Sequence, residues 1–472
     1  MNRLRNANAN PAGSPPPSAA AAGEWPPRAF AGVFGAFLAL SLLKFGNPPI
    51  MEKWTVPPAD IWTFIFGSPW PIAWAYGLLV LVGLFGLAAA RFRKDLPWWL
   101  VFLPLAWVAW TAAAATQSVD ISLTKPTLMH LAACAVCFYL GLFCLGRLKR
   151  LGPFWIGLMS AFLLVIAIGW EQHFGGLDET RRYFYLYIYP QMKEVAPEYL
   201  KKMASNRIFS TLFYPNALAG ALLLFLPPVL ELLINARRRF TPGARAFMVA
   251  SVCIGALGCL FWSGSKGGWL LMLVLGLALL LRLPFDKRFK TALIFLILAG
   301  GLTGFFWKYA AFFQKGATSV GARFDYWQAA IHTVAERPLC GTGAGTFYTA
   351  YQRVRRPGSE PTRLVHNDYL EQASDSGLPA CAAYTVFILG ALVLTRPRAL
   401  TLSPSTPASP VPGLALSLSD FRLHPPQNGQ TFAVWLGVFG FALQGLMEFN
   451  LYIPGLAWPA FALLGWLVGR RS

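Results

Sequence analysis

The chain has 472 residues, 56% of them hydrophobic and only 13% charged, where a typical soluble domain carries about 25% charged residues. A soluble core of this length has no room for so much apolar surface, so the composition excludes an ordinary globular protein and points to a bilayer, where lipid becomes the apolar phase. The formal net charge of +20 raises nucleic acid as a partner. The basic residues, however, stand in short clusters between apolar runs, the pattern of helix ends held at a cytoplasmic membrane surface, and this excludes a nucleic-acid-binding stripe.

Residues 1–28 carry Arg3, Arg5 and a Pro/Ala-rich stretch through Pro27, which predicts a disordered cytoplasmic tail. The apolar segment from Ala29 is followed by Lys44 and Pro48 without a small-residue cleavage site, so a retained first helix is expected rather than a removed signal peptide. Apolar runs of spanning length follow in order at approximately 29–45, 70–90, 96–115, 127–146, 152–170, 212–234, 245–263, 267–283, 290–309, 377–395, 431–449 and 452–469. Pro215, Pro227 and Pro228 fall in the sixth run, where neighbouring groups can satisfy the carbonyls they free. The fold expected is therefore an all-α polytopic membrane protein with twelve transmembrane helices. Five spans lie in 29–170, four in 212–309 and three in 377–472. A loop at 171–211 and a large, partly helical loop at 310–376 separate these groups. The segment 396–430, with its run SPSTPASPVPG, is Ser/Pro-rich and predicts a disordered cytoplasmic loop.

Twelve spans place alternate loops on one side. With the N-terminus cytoplasmic, the inner segments hold 22 Lys and Arg residues, among them Arg91, Arg237, Arg282, Arg396 and Arg470. The short outer loops hold four: Lys44, Lys53, Lys125 and Lys266. The positive-inside rule demands such a split, and both termini are accordingly expected in the cytoplasm of a bacterial inner membrane. The long segments 171–211 and 310–376 then face the periplasm, since long loops cross regardless of charge. Of seven cysteines, only Cys340 lies outside the apolar runs. Cys134 and Cys137 form a CxxC with no second pair, so packing is the expected role and no metal site is read there.

The second outer loop contains GARFDYWQAAIHTVAERPLCGTGAGTFYTAYQRVRRPGSEPTRLVHNDYLEQASDSG. Residues 322–335 and 366–376 have helical spacing, so the loop is folded. Its arginines suit an anionic ligand at the membrane surface, because the guanidinium fork grips phosphate oxygens at two points; a basic face beside anionic lipid headgroups is the plainer reading. His332 reads as an ordinary helix-face residue. The glycines Gly341, Gly343 and Gly345 follow no predicted strand, which argues against a dinucleotide fingerprint and leaves a plain turn, or a turn whose amides face a phosphate. Asp375 and Glu371, four apart on one helical stretch, are either surface charges or orienters of Arg or His. In the first outer loop Tyr183, Tyr185, Tyr187 and Tyr189 alternate with apolar residues, as an interfacial belt or a sugar-stacking surface would.

The run Gly321–Phe347, followed by His366-Asn367-Asp368-Tyr369-Leu370, resembles the O-antigen ligase/polymerase superfamily of bacterial lipid-linked glycan transferases. Three stretches agree with it: Arg207–Ala219 (RIFSTLFYPNALA, which includes Asn216), Trp262–Trp269 (WSGSKGGW) and Glu448–Pro454 (EFNLYIP). The resemblance covers roughly residues 200–470, and the arrangement of spans around a large periplasmic loop also resembles the ligases. Four features depart from the pattern: Lys266 stands for the usual Arg, Ala380 ends the His-Asn/Gly377 spacing, Asp375 stands for Glu, and the Arg-x-x-x-Leu pattern appears as Arg323 to Trp327.

The resemblance implies a glycosyltransferase without cofactor or metal that moves a glycan from an undecaprenyl-diphosphate donor to an acceptor hydroxyl on the periplasmic face. The acceptor would be a glycan, a lipid A core or a glycoprotein, and membrane lipids would be further partners. Ligase, polymerase and protein O-oligosaccharyltransferase share this donor and differ in the acceptor. Arg207, Lys266 and Arg323 are the expected diphosphate clamp, since cations must hold the leaving group as charge develops. His366 is the expected base on the acceptor or a residue that orients the loop. Asn367, Asp375, Asn216, Gly343 and Gly345 are expected in support. A transporter is the alternative of a different class; it would place ionisable residues in mid-span, where few occur.

Overall fold

The structure is a computed structural model that describes residues 25–92, 96–146, 148, 151–191, 200, 203–282, 286–314, 318–355, 359–397 and 429–470. Among the described residues the regular structure is helical, with no strand. The longer helices are α1 (Trp25–Lys44), α3 (Ile72–Ala89), α4 (Trp98–Ala114), α5 (Ile121–Leu140), α6 (Gly152–Glu171), α8 (Pro215–Ile234), α9 (Pro242–Ser263), α10 (Lys266–Arg282), α11 (Lys287–Gln314), α12 (Thr318–Glu336), α14 (Asp368–Leu394), α15 (Gly429–Gln444) and α16 (Pro454–Arg470). Short helices α2 (Ile61–Phe66), α7 (Leu177–Tyr183) and α13 (Phe347–Val354) lie between them.

Each of the twelve expected spans coincides with a helix. Among the described residues nine helices are long and apolar enough to cross a membrane. The other three, α10, α15 and α16, have 17, 16 and 17 residues. The last of these, α16, is buried on every side from Pro454 to Gly469 and so packs against protein all round, with no lipid-facing stripe. Small residues allow that packing. A Cβ on Gly465 would stand 2.0 Å from the Phe138 carbonyl oxygen, and one on Gly141 2.1 Å from that of Ala462, so backbones of α16 and α5 are in near contact, as glycines permit between spans. Around this centre α1 packs on α6, α4 on α14 and α8 on α15.

The lysine at the end of the first span has a local explanation. Lys44 Nζ donates to the carbonyls of Ile65 and Gly67, at 2.6 and 2.7 Å, and so satisfies backbone groups in the stretch leading to α3. Much of the charge pattern, including Arg3, Arg5, Arg93, Lys94, Arg147, Lys149, Arg150, Arg398, Arg422 and Arg471, lies outside the described residues, as do most of the expected disordered segments 1–28 and 396–430.

Beyond α11 the chain folds on itself. Tyr326, Ala329 and Ala330 of α12, Phe347 and Tyr351 of α13, and Val365 form a small separate core. The helical spacing read at 366–376 and the span read at 377–395 prove to be one helix, α14, broken at Gly377 (φ 82°, ψ 172°). A Cβ there would stand 1.9 Å from the Leu339 carbonyl oxygen, so both the positive φ and the close approach require glycine.

Candidate active site

Four of the expected site residues converge on one carboxylate, Glu448, in the short connection between α15 and α16. Asn216, in the first turn of α8, donates from Nδ2 to Glu448 Oε1 at 2.6 Å. Arg323, on α12, donates from Nη2 to the same oxygen, while its Nε and Nη1 donate to the carbonyls of Met447 and Ser319, each at 3.1 Å. His366 Nδ1 lies 3.1 Å from Glu448 Oε2. Arg207 joins through Asn216: its Nη2 donates to Asn216 Oδ1 at 2.9 Å, and its Nε to the Ser263 carbonyl at the end of α9 at 2.7 Å.

Local backbone chemistry aims these groups. Asn367 is the N-cap of α14, its Oδ1 accepting from the amides of Tyr369 and Leu370 at 3.1 and 3.0 Å. His366, immediately before the cap, takes φ 57°, a left-handed conformation that non-glycine residues adopt only where the surroundings hold it. Glu371 helps hold it, accepting from the Val365 amide at 3.1 Å. The imidazole stacks on Tyr326, centroids 5.8 Å apart, and meets the ring of Phe449 edge-on at 4.8 Å. Nδ1 is thus engaged by a carboxylate, and among the described residues Nε2 has no partner.

The electrostatics follow from burial. Burial pushes the Glu448 carboxyl up, but the hydrogen bond and charge of His366, then Arg323 and Asn216, outweigh it and hold the group below the ordinary glutamate value. Lys266 opens α10 with its Nζ 4.0 Å from the Phe312 ring centroid and 5.1 Å from that of Tyr309. Burial first, and the charges of Arg207 and Arg323 second, push it down to about 8.

The remaining expected residues gather elsewhere. The Gly343 amide donates to the Asp375 carbonyl at 2.8 Å, and the Gly345 amide to Asp375 Oδ2 at 2.6 Å. These amides are therefore occupied within the protein. They tie the turn after α12 to the kink of α14, and no hydrogen bond among the described residues links them to Glu448. His332 lies on an exposed part of α12 near Glu336. Among the described residues no group of three or more His, Cys, Asp or Glu side chains could hold a metal ion.

Sequence reasoning did not single out Glu448, although it quoted the stretch that contains it. The signal was present: Glu448 is the sole acidic residue from Gly429 to the end of the chain, and a lone carboxylate between apolar spans is a functional-site candidate by default.

Residues 250–385 match the family model for O-antigen ligase, a segment that holds Lys266, Arg323, His366 and Asn367 but neither Arg207 nor Glu448. The match supports the O-antigen ligase superfamily over that segment, which is less than a third of the chain. The chain is also similar to an uncharacterized protein of Haemophilus influenzae, 31% identical over 150 residues. That similarity covers 27% of this chain and 38% of the relative, well under half of either.

Proposed function

We propose that the protein is a ligase-type glycosyltransferase that moves a glycan from an undecaprenyl-diphosphate donor to an acceptor hydroxyl at the periplasmic face of the bacterial inner membrane. The observation that carries this reading is the Glu448–His366 pair set beside Arg323. A carboxylate on Nδ1 favours the tautomer with its proton there, and leaves Nε2 as the basic nitrogen. In the reaction the acceptor oxygen bonds to the anomeric carbon, the bond from that carbon to the phosphate oxygen breaks, and the acceptor proton passes to His366 Nε2. The diphosphate departs as an anion. Arg207, Arg323 and Lys266 supply the positive charge that stabilises it as the bond breaks. Side chains do this work in the scheme, so transfer should persist in the presence of a chelator.

The test is transfer by the purified protein, offered a lipid-diphosphate glycan with a lipid A core, a free glycan or a glycoprotein as acceptor. His366→Ala is expected to lower transfer by about 10²–10⁴-fold, the usual contribution of a positioned base, and Arg323→Ala to abolish it, both with normal membrane insertion. Full activity in both variants overturns the mechanism, and the acceptor used separates ligase from polymerase and from protein O-oligosaccharyltransferase.

A further inference from the structure

Tyr309 carries a buried hydroxyl that no described residue bonds. The residue is 7% exposed, and its Oη has no hydrogen-bond partner among the described residues. It sits where α11 kinks, at φ −106° and ψ 15°, and its ring is held edge-on by Phe305 at 5.1 Å. A buried polar atom left unpaired lowers stability and calls for a cause.

The surroundings supply one. Lys266 Nζ lies 5.1 Å from the Tyr309 ring centroid and Lys308 Nζ 5.9 Å from it. Arg207 is close enough for its charge to act on the hydroxyl. Lys308 Nζ also lies 3.0 Å from the Phe261 ring centroid. Among the described residues neither lysine is paired with a carboxylate, and Arg207 bonds only to a carbonyl and an amide oxygen. Three cations with no carboxylate hydrogen-bonded to them among the described residues, of which Arg207 alone feels the charge of Glu448, surround one unused O–H donor. A lone anion would satisfy the cations, but an anion with several acceptor oxygens also satisfies the hydroxyl, since a phenol donates readily to phosphate oxygen.

We propose that Tyr309 donates a hydrogen bond to the donor's diphosphate, in a pocket that Lys308 completes beside Arg207 and Lys266. Tyr309 is thereby a substrate-binding residue and Lys308 a fourth cation of the site. The proposal rests on the diphosphate-donor reading above, but it concerns binding and is tested apart from transfer.

The experiment measures binding of inorganic pyrophosphate and of undecaprenyl diphosphate to the full-length protein in lipid nanodiscs, with undecaprenol as the blank. Tyr309→Phe keeps the ring that the lysines lie against and removes only the hydroxyl. It is expected to weaken both phosphorylated probes by about tenfold, the scale of one hydrogen bond to a charged group, with undecaprenol binding unchanged and the melting temperature of the unliganded protein equal to or above wild type. Lys308→Gln is expected to weaken the same two probes and stands in should Tyr309→Phe fold poorly. Equal affinity of wild type and both variants for the two probes overturns the proposal, as does a wild-type protein that binds neither. A wild type that binds undecaprenyl diphosphate with the predicted losses, yet transfers no glycan to any acceptor, supports the Tyr309 pocket and removes the transfer reading.

Discussion

Glu448→Gln tests the centre of the site with the smallest change of shape. The carboxylate is 5% exposed and accepts from Arg323, Asn216 and His366. A glutamine has one acceptor oxygen where the carboxylate has two, and its amide group presents N–H donors towards Asn216 Nδ2 or His366 Nδ1, themselves donors. Breaking a buried ion pair by removing one partner costs roughly 3–5 kcal/mol; since the amide oxygen keeps one bond, about 3 kcal/mol of lost stability is expected. The loss depends on pH with a definite sign. The folded-state pKa of Glu448 is depressed, so its contribution is complete above the ordinary glutamate value and disappears as pH falls through the folded value. Wild type and variant should therefore converge in thermal stability in acid and differ most near neutrality. In transfer assays the variant loses the group that fixes the His366 tautomer, and an effect of about 10³–10⁴-fold is expected for an orienting carboxylate replaced by its amide. Because Glu448 acts on His366 as well as on Arg323, the two substitutions should not be independent: Glu448→Gln combined with His366→Ala should lose well less than the product of the two single losses. The reasoning fails if Glu448→Gln transfers glycan at the wild-type rate, or if the double variant shows the product of the two single losses.

Two further perturbations probe the flanks of the site. Lys266 is pushed down to about 8, so donor affinity should be level in mildly acidic buffer and fall as pH rises through that value, while Lys266→Arg keeps its charge and should carry the affinity to higher pH; an identical basic limb in both proteins would show that Lys266 does not hold the anion. Gly377→Ala forces a Cβ to 1.9 Å from the Leu339 carbonyl oxygen at φ 82°, and strain of about 1–3 kcal/mol from the backbone alone should appear as lower yield and melting temperature; a variant that melts like wild type would contradict the packing at this kink.

The helices were legible because apolar length is a local property: every run read from the sequence coincides with a helix, and among the described residues nine of these are long and apolar enough to cross a membrane. What the sequence obscured were joins. The residues 366–376 and 377–395 read as two elements because Gly377 interrupts the pattern, yet the chain continues as one kinked helix. Likewise α11 runs on to Gln314, past the expected end at 309, with Tyr309 at the bend. Arg207, Arg323 and His366 were legible from a motif. Glu448 is visible as a lone carboxylate, but its pairing with His366, 82 positions away, is not, since the packing of α14 on α12, α15 and α16 brings the two together. The sequence leaves Gly343 and Gly345 in a plain turn or with amides facing a phosphate, but an amide's direction depends on its partner, and here the partner is Asp375.

The placement of Glu448 explains how a site drawn from distant segments can be rigid. The stretch that carries it is fixed at both ends. Gln444 donates to the Asn216 carbonyl at 2.8 Å and accepts from Asn450 Nδ2 at 3.0 Å. Asp368, at the head of α14, donates its amide to the Gly445 carbonyl at 2.7 Å and accepts from the Leu451 amide on both carboxylate oxygens. The same helix start that caps on Asn367 and turns His366 is thus stitched to either side of the residue that His366 contacts. Arg323 bonds to the Met447 carbonyl as well as to Glu448, so base and cation are held against one short segment anchored by the fully buried α16. Groups held this way keep their geometry without a ligand. The cations Arg207, Lys266 and Lys308, by contrast, bond to neutral oxygens or lie against rings. One carboxylate fixes His366 and Arg323, while Lys266, Lys308 and Arg207 are hydrogen-bonded to no carboxylate among the described residues, the balance that the proposed transfer asks of a site that binds an anion and keeps a base in place.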